Sequence, residues 1–292
     1  MKATSRRLKF AFVSLMAGLA MGGCAEGKEF PSTPTPSPNP PTPPSPPTPP
    51  APDSKILAHS GNQLFEIDPA VLDATLIGNI TGQGSRSITD IAVDKNGRIL
   101  GITMNALYEI SPTGTATLIS DLTASAKGLT SLSFVPTDIN DITSDEYLIA
   151  ANDDGDVFSI DEATGTAALL GNYGTLGGQT IGSSGDIVAI YNVGIFATVN
   201  IGDDWQVDDY LVQLDPQTWE ATLAPQDTGF DRIFGLGYWG GRFFGFVDGG
   251  AEGTPAGRLI EIDAATGTAE ILFDSDVRWF GAGVTTVAPG IS

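Results

Sequence analysis

Five times along the chain, apolar and polar positions alternate over a short run that ends on an acid or a serine. The runs are Leu64-Phe65-Glu66-Ile67-Asp68, Leu107-Tyr108-Glu109-Ile110-Ser111, Val157-Phe158-Ser159-Ile160-Asp161, Leu211-Val212-Gln213-Leu214-Asp215 and Leu259-Ile260-Glu261-Ile262-Asp263. Each has the length and period of a strand. Their starts are 43, 50, 54 and 48 residues apart, the period of a repeat array of multi-stranded units. A turn follows each run, with sequences such as Asp-Pro-x-x or Ala-Thr-Gly-Thr, in which Asp accepts from backbone N–H groups and Gly takes a positive φ. A second strand comes next, beginning at Ala74, Ala116, Ala167, Ala221 and Ala269. Two further strands separate successive runs. The first of these is predicted at 88–93, 129–135, 186–191, 233–238 and 280–286, and the next at 99–103, 147–151, 195–200, 243–247 and 56–59.

Four strands per repeat and five repeats predict an all-β domain over 53–292, a five-bladed β-propeller. The strand order, with a Gly-rich inner strand opening each blade, resembles the repeats of NHL-type and lactonase-like propellers. That resemblance covers nearly all of residues 55–289 and implies architecture, since such folds host unrelated functions. The last repeat stops after its inner strand, at 280–286, while the domain begins with a second strand at 56–59, so the two ends are expected to complete one blade. A Gly-rich insert at 171–184 leaves open six blades with one degenerate. Small residues recur on the inner strands, at Asp90 and Ala92, Ser131 and Ser133, Gly235 and Gly237, Gly281 and Gly283, as a narrow axis requires.

The N-terminus reads differently. Lys2, Arg6, Arg7 and Lys9 precede an apolar run at 10–23, the pattern of a secretory signal peptide over 1–23. The run ends at Met21-Gly22-Gly23-Cys24, which resembles the bacterial lipobox and implies that Cys24, the only Cys, carries a diacylglycerol. Met21 and Gly22 depart from the Leu and the Ala or Ser usual there. Residues 24–30 are then the lipidated N-terminus, and the absence of Asp after Cys24 resembles enterobacterial sorting to the outer membrane. Proline fills 13 of the 22 positions at 31–52, a linker that favours polyproline II and spans about 70 Å at about 3.1 Å per residue.

Charge narrows the partners. The 292 residues carry 14 Lys plus Arg against 35 Asp plus Glu, and loss of the signal leaves ten basic residues, a net charge near −25. Such a surface repels nucleic acid. One Cys allows no internal disulfide, and one His allows no His-rich zinc site. The apolar share of 41% still supports a sizeable core.

Candidate chemistry is sparse. Asp90 and Asp186, both on inner strands, are candidate acid/base carboxylates for a glycoside. The metal set of Glu, Asn and Asp that lactonase-like hydrolases place at the axis is not found on these strands. Calcium is a second candidate, at 152–156 and at Asp203, Asp204, Asp208 and Asp209, although neither loop follows the EF-hand pattern. Arg86, Lys127, Arg232 and Arg278 all precede inner strands and are expected to ring one channel mouth, with Trp205, Phe230 and Trp279 nearby, a surface suited to acidic or sugar ligands. The alternative is that these cations only neutralise acids at loop ends. The sequence thus points to a membrane-anchored envelope propeller that binds an envelope protein or glycan without catalysis, with a hydrolase of carbohydrate or lactone as the alternative.

Overall fold

The computed structural model describes residues 55–122, 128–202, 204, 206–250 and 253–290. Cys24, Lys127 and Trp205, with the signal peptide and the linker, lie outside the described residues. All regular structure among those described is strand. It forms five antiparallel sheets arranged as a five-bladed β-propeller.

The first blade joins β1 (Ile56–His59), β2 (Gln63–Asp68) and β3 (Asp73–Asn79) to an inner strand from the other end of the chain, β21 (Gly281–Gly283). Leu57 faces Gly283, Ala58 faces Ala282 and His59 faces Gly281, so the chain ends close the ring by strand pairing, as their phase predicts. The second blade is β4 (Asp90–Val93), β5 (Ile99–Thr103), β6 (Ala106–Ile110) and β7 (Ala116–Asp121). The third is β8 (Leu129–Pro136), β9 (Glu146–Asn152), β10 (Asp156–Asp161) and β11 (Thr166–Asn172). In the fourth, β12 (Thr175–Leu176) adds to β13 (Gln179–Ile190), β14 (Gly194–Ile201), β15 (Tyr210–Leu214) and β16 (Ala221–Leu223). The fifth is β17 (Ile233–Trp239), β18 (Arg242–Asp248), β19 (Gly257–Ile262) and β20 (Ala269–Ser275). The Gly-rich insert is therefore no sixth blade. It folds as a small hairpin that prolongs the inner strand β13 beyond its neighbours.

Local chemistry repeats with the blades. After each third strand the terminal side chain accepts from the turn that follows. Asp68 Oδ1 takes the Ala70 N–H at 2.9 Å, Asp161 Oδ1 that of Thr164 at 2.9 Å, Asp215 Oδ1 that of Gln217 at 2.8 Å and Asp263 Oδ1 that of Ala265 at 2.8 Å. Ser111 Oγ does the same for Thr115 at 2.9 Å. These turns reverse the chain into the outermost strand. In four blades that strand carries a bulge at one place, leaving Ile77, Ile119, Leu170 and Leu272 without a register partner. Such a bulge twists an open sheet edge and hinders pairing with another chain.

No single core exists. Buried side chains form wedges between adjacent blades, such as Leu100, Leu107, Leu132 and Phe158 between the second and third, and Ile181, Val199, Ile149 and Val157 between the third and fourth. A wedge spans the fourth, fifth and first blades around Phe244, Phe246, Phe65 and Trp279, so closure of the ring is also closure of this core.

Candidate functional site at the propeller axis

The inner strands reach the axis in one common phase. Thr89-Asp90-Ile91, Thr130-Ser131-Leu132, Gly185-Asp186-Ile187, Phe234-Gly235-Leu236 and Phe280-Gly281-Ala282 occupy equivalent places. An inner strand pairs with its own blade along one edge only, and amides on the other edge must find acceptors elsewhere. The two acids provide them. Asp90 Oδ1 accepts from the Ile91 N–H at 2.8 Å and Oδ2 from Leu132 at 2.7 Å. Asp186 Oδ1 accepts from Ile187 at 2.6 Å and Oδ2 from Leu236 at 2.7 Å, with a further backbone bond from Ala282. Thus the equivalent amides of all five blades converge on two carboxyl groups.

Both groups are sealed, with Asp90 0% and Asp186 1% exposed. Burial raises each well above the usual carboxylate range, and the charge of Asp186 raises Asp90 further. The two carboxyl groups lie close enough for the ionisation of one to disfavour that of the other. Acid/base work on a glycoside needs carboxyl groups about 5–10 Å apart with room for a sugar and a water between them. Here the candidate catalytic residues Asp90 and Asp186 do meet, but in direct contact and capped by backbone. The geometry is that of a structural rivet.

His59 completes the closure. It is fully buried, Nδ1 donates to the Ser60 carbonyl at 2.8 Å, and burial lowers its pKa to about 4, so the ring is neutral. Gly281 lies between His59 and Asp90. A Cβ there would stand 2.5 Å from His59 Nε2 and closer still to Asp90 Oδ1, which explains the glycine without reference to flexibility. Gly235 is constrained alike, its missing Cβ lying 2.9 Å from Ala282 Cβ.

Above this seal the channel opens into a cavity of about 140 Å3 lined by Thr89, Thr130, Ser184, Gly185, Phe234 and Phe280. The Phe234 and Phe280 rings are stacked, with centroids 6.5 Å apart. Sequence reasoning missed both. The available signal was their place directly before Gly235 and Gly281, matching Thr89 before Asp90.

Of the expected basic ring, the described members Arg86, Arg232 and Arg278 are each paired with an acid. Arg86 donates to Tyr108 Oη at 3.0 Å and to Asp121 at 3.1 Å. Arg232 pairs with Asp231 at 3.1 Å, and Arg278 grips both oxygens of the buried Asp248 at 2.7 Å while lying 5.2 Å over the Phe280 ring. These contacts also place the loops leading into inner strands on the same side as the loops joining second to third strands. Trp279 requires correction as a ligand-facing residue. It is 0% exposed and packs edge-on against Phe65 at 5.2 Å and Phe246 at 5.6 Å, because alternation turns it into the blade interface and its neighbour Phe280 to the mouth. Phe230 is half-buried against the same core.

Of the candidate calcium ligands Asp203 lies outside the described residues, and the described loop at 152–156 holds protein contacts. Asn152 Oδ1 accepts from the Asp156 N–H at 2.8 Å, and Asp156 Oδ1 accepts from Asn172 at 2.7 Å. No group of three His, Cys, Asp or Glu side chains suited to a metal occurs among the described residues. Asp209 is instead a buried acid beside the mouth. Its Oδ2 accepts from Ser184 Oγ at 2.6 Å and from the Ile233 N–H at 2.8 Å. Burial pushes its pKa up to about 7, with a further contribution from the charges of Asp231 and Asp208.

Fold and axis together define a five-bladed propeller whose channel is closed by its own side chains. No family model matches the chain, and no curated protein matches it. Among solved structures it is similar to a protein of unknown function from Bacteroides caccae, at 11% identity and a TM-score of 0.46, covering 80% of this chain and 98% of that one. It is also similar to a protein from work on the de novo evolutionary emergence of a symmetrical protein, at 16% identity and a TM-score of 0.44, covering 82% of this chain and 100% of that one.

Proposed function

We propose that the protein is a lipid-anchored module of the bacterial cell envelope that binds a partner without catalysing a reaction. Cys24 attaches it to the outer membrane, residues 31–52 act as a spacer, and the propeller presents its mouth face to an envelope protein or glycan. One observation carries the non-catalytic part of this reading. Among the described residues the paired carboxyl groups at the axis, Asp90 and Asp186, have their oxygens occupied by backbone amides and no room for a substrate.

The test combines fractionation with crosslinking on intact cells. The protein with Cys24 should sediment with membranes and the Cys24→Ser variant should not, and crosslinking should trap a defined partner on the membrane-bound form. Turnover of an oligosaccharide or lactone panel that disappears in a folded Asp186→Asn variant would overturn the reading in favour of a hydrolase.

A further inference from the structure

The cavity above the axial seal has an unusual wall. Although three hydroxyl residues line it, two of their oxygens are engaged elsewhere and the third is buried. Thr89 Oγ1 donates to the Ile102 carbonyl at 3.1 Å, Ser184 Oγ donates to Asp209 at 2.6 Å, and Thr130 Oγ1 is buried without a hydrogen-bond partner. The wall that faces the space is predominantly carbon. An apolar cavity of about 150 Å3 is enough to hold a benzene ring, so about 140 Å3 takes one phenyl or leucyl side chain. A sugar would find few hydrogen-bonding partners there.

Beside the cavity the described residues carry an excess of acid. The described arginines of the mouth are each matched by an acid, as set out above, whereas Asp204, Asp208 and Asp227 enter no ion pair among the described residues. Asp208, Asp204 and Asp227 line an open cleft of their own, which adjoins the cavity through Asp209, the residue after Asp208, whose carboxyl holds the cavity residue Ser184. The excess is felt within the protein, since Asp227 and Asp231 add to burial in raising Asp208.

We propose that the mouth receives a segment of a partner polypeptide in which one large apolar side chain enters the cavity between Phe234 and Phe280, while adjacent Lys or Arg residues engage Asp208 and Asp227. The inference rests on the binding-module reading and narrows it from an envelope protein or glycan to a basic, apolar-anchored peptide. Binding of this kind is steered by charge and weakens with salt.

The experiment pans phage-displayed random heptapeptides against the immobilised full chain carrying Cys24→Ser. Selected peptides should place Phe, Trp, Leu or Met beside at least two Lys or Arg. The best synthetic peptide should bind roughly tenfold or more weakly to Thr130→Phe, which fills the cavity. It should also lose several-fold affinity on the surface double variant Asp208→Asn with Asp227→Asn, and the parent should lose a similar factor on moving from low to high salt. If Thr130→Phe does not fold, Phe234→Ala replaces it with the same expected loss. Acidic or wholly polar peptides, no enrichment, or equal binding to parent and variants would each overturn the proposal, as would exclusive binding of uncharged oligosaccharides. If the partner trapped on cells is still captured by Thr130→Phe, the module reading stands and the mouth is not its contact.

Discussion

Replacing Asp186 with alanine tests the rivet directly, because the side chain serves three blades at once. Its loss strips acceptors from the buried amides of Ile187 and Leu236, and from Ala282. A buried amide left without a partner costs about 1–3 kcal/mol, so the two amides bonded at 2.6 and 2.7 Å cost about 2–6 kcal/mol together. Relief of Asp90 from a neighbouring charge offsets part of this. For a domain of this size about 2–4 °C is lost per kcal/mol, so Tm should fall on the order of 4–24 °C. Asp186→Asn keeps one acceptor oxygen and can donate to Asp90, and should cost only about 1–3 kcal/mol. Thermal and urea unfolding of parent, Asn and Ala forms should give that order. Because burial raises both carboxyl groups, their contribution is fully present below the unfolded carboxyl pKa of about 3.9 and is lost as pH rises through the folded values. The parent should therefore weaken more steeply toward alkaline pH than Asp186→Asn. An alanine variant that melts within about 2 °C of the parent would refute the structural role and return the pair to candidacy for chemistry.

Asp209, pushed up to about 7 from 3.8, holds a proton in the fold that the unfolded chain gives up, so it costs about 4 kcal/mol of stability across the window from about pH 4 to pH 7. Asp209→Asn, which keeps an acceptor for Ser184 and Ile233, should flatten urea stability against pH over that window; an unchanged slope would mean that Asp209 is ionised throughout. Gly281→Ala places a methyl against His59 and Asp90 and should cost more than the roughly 1–3 kcal/mol of ordinary overpacking, read as a drop in the urea midpoint. Truncation after Arg278 deletes Trp279 and β21, leaving β1 without its inner neighbour and the wedge between the fourth, fifth and first blades open. The cooperative thermal transition should be lost, and a nearly unchanged midpoint would show that ring closure contributes little.

Much of this protein is written locally. Period-two alternation at Leu64 to Asp68 and its four counterparts identifies third strands because a strand's two faces are set by successive residues. The Asp or Ser that ends each run predicts the turn, since its bonds reach only two to four residues ahead. The repeat phase likewise assigns β21 to the blade of β1, a pairing across more than 200 residues that follows from counting strands. Tertiary closure alone decided the site. Asp90 meets the amide of Leu132, and Asp186 that of Leu236, only because five inner edges are drawn to one axis, where amides of separate blades share acceptors. Arg278-Trp279-Phe280 shows the same limit on a small scale. Composition marks Arg278 and Trp279 as ligand-like and passes over Phe280, but the strand's alternation, fixed by packing of neighbouring blades, sends Trp279 into the core, turns Phe280 to the mouth and leaves Arg278 to neutralise Asp248.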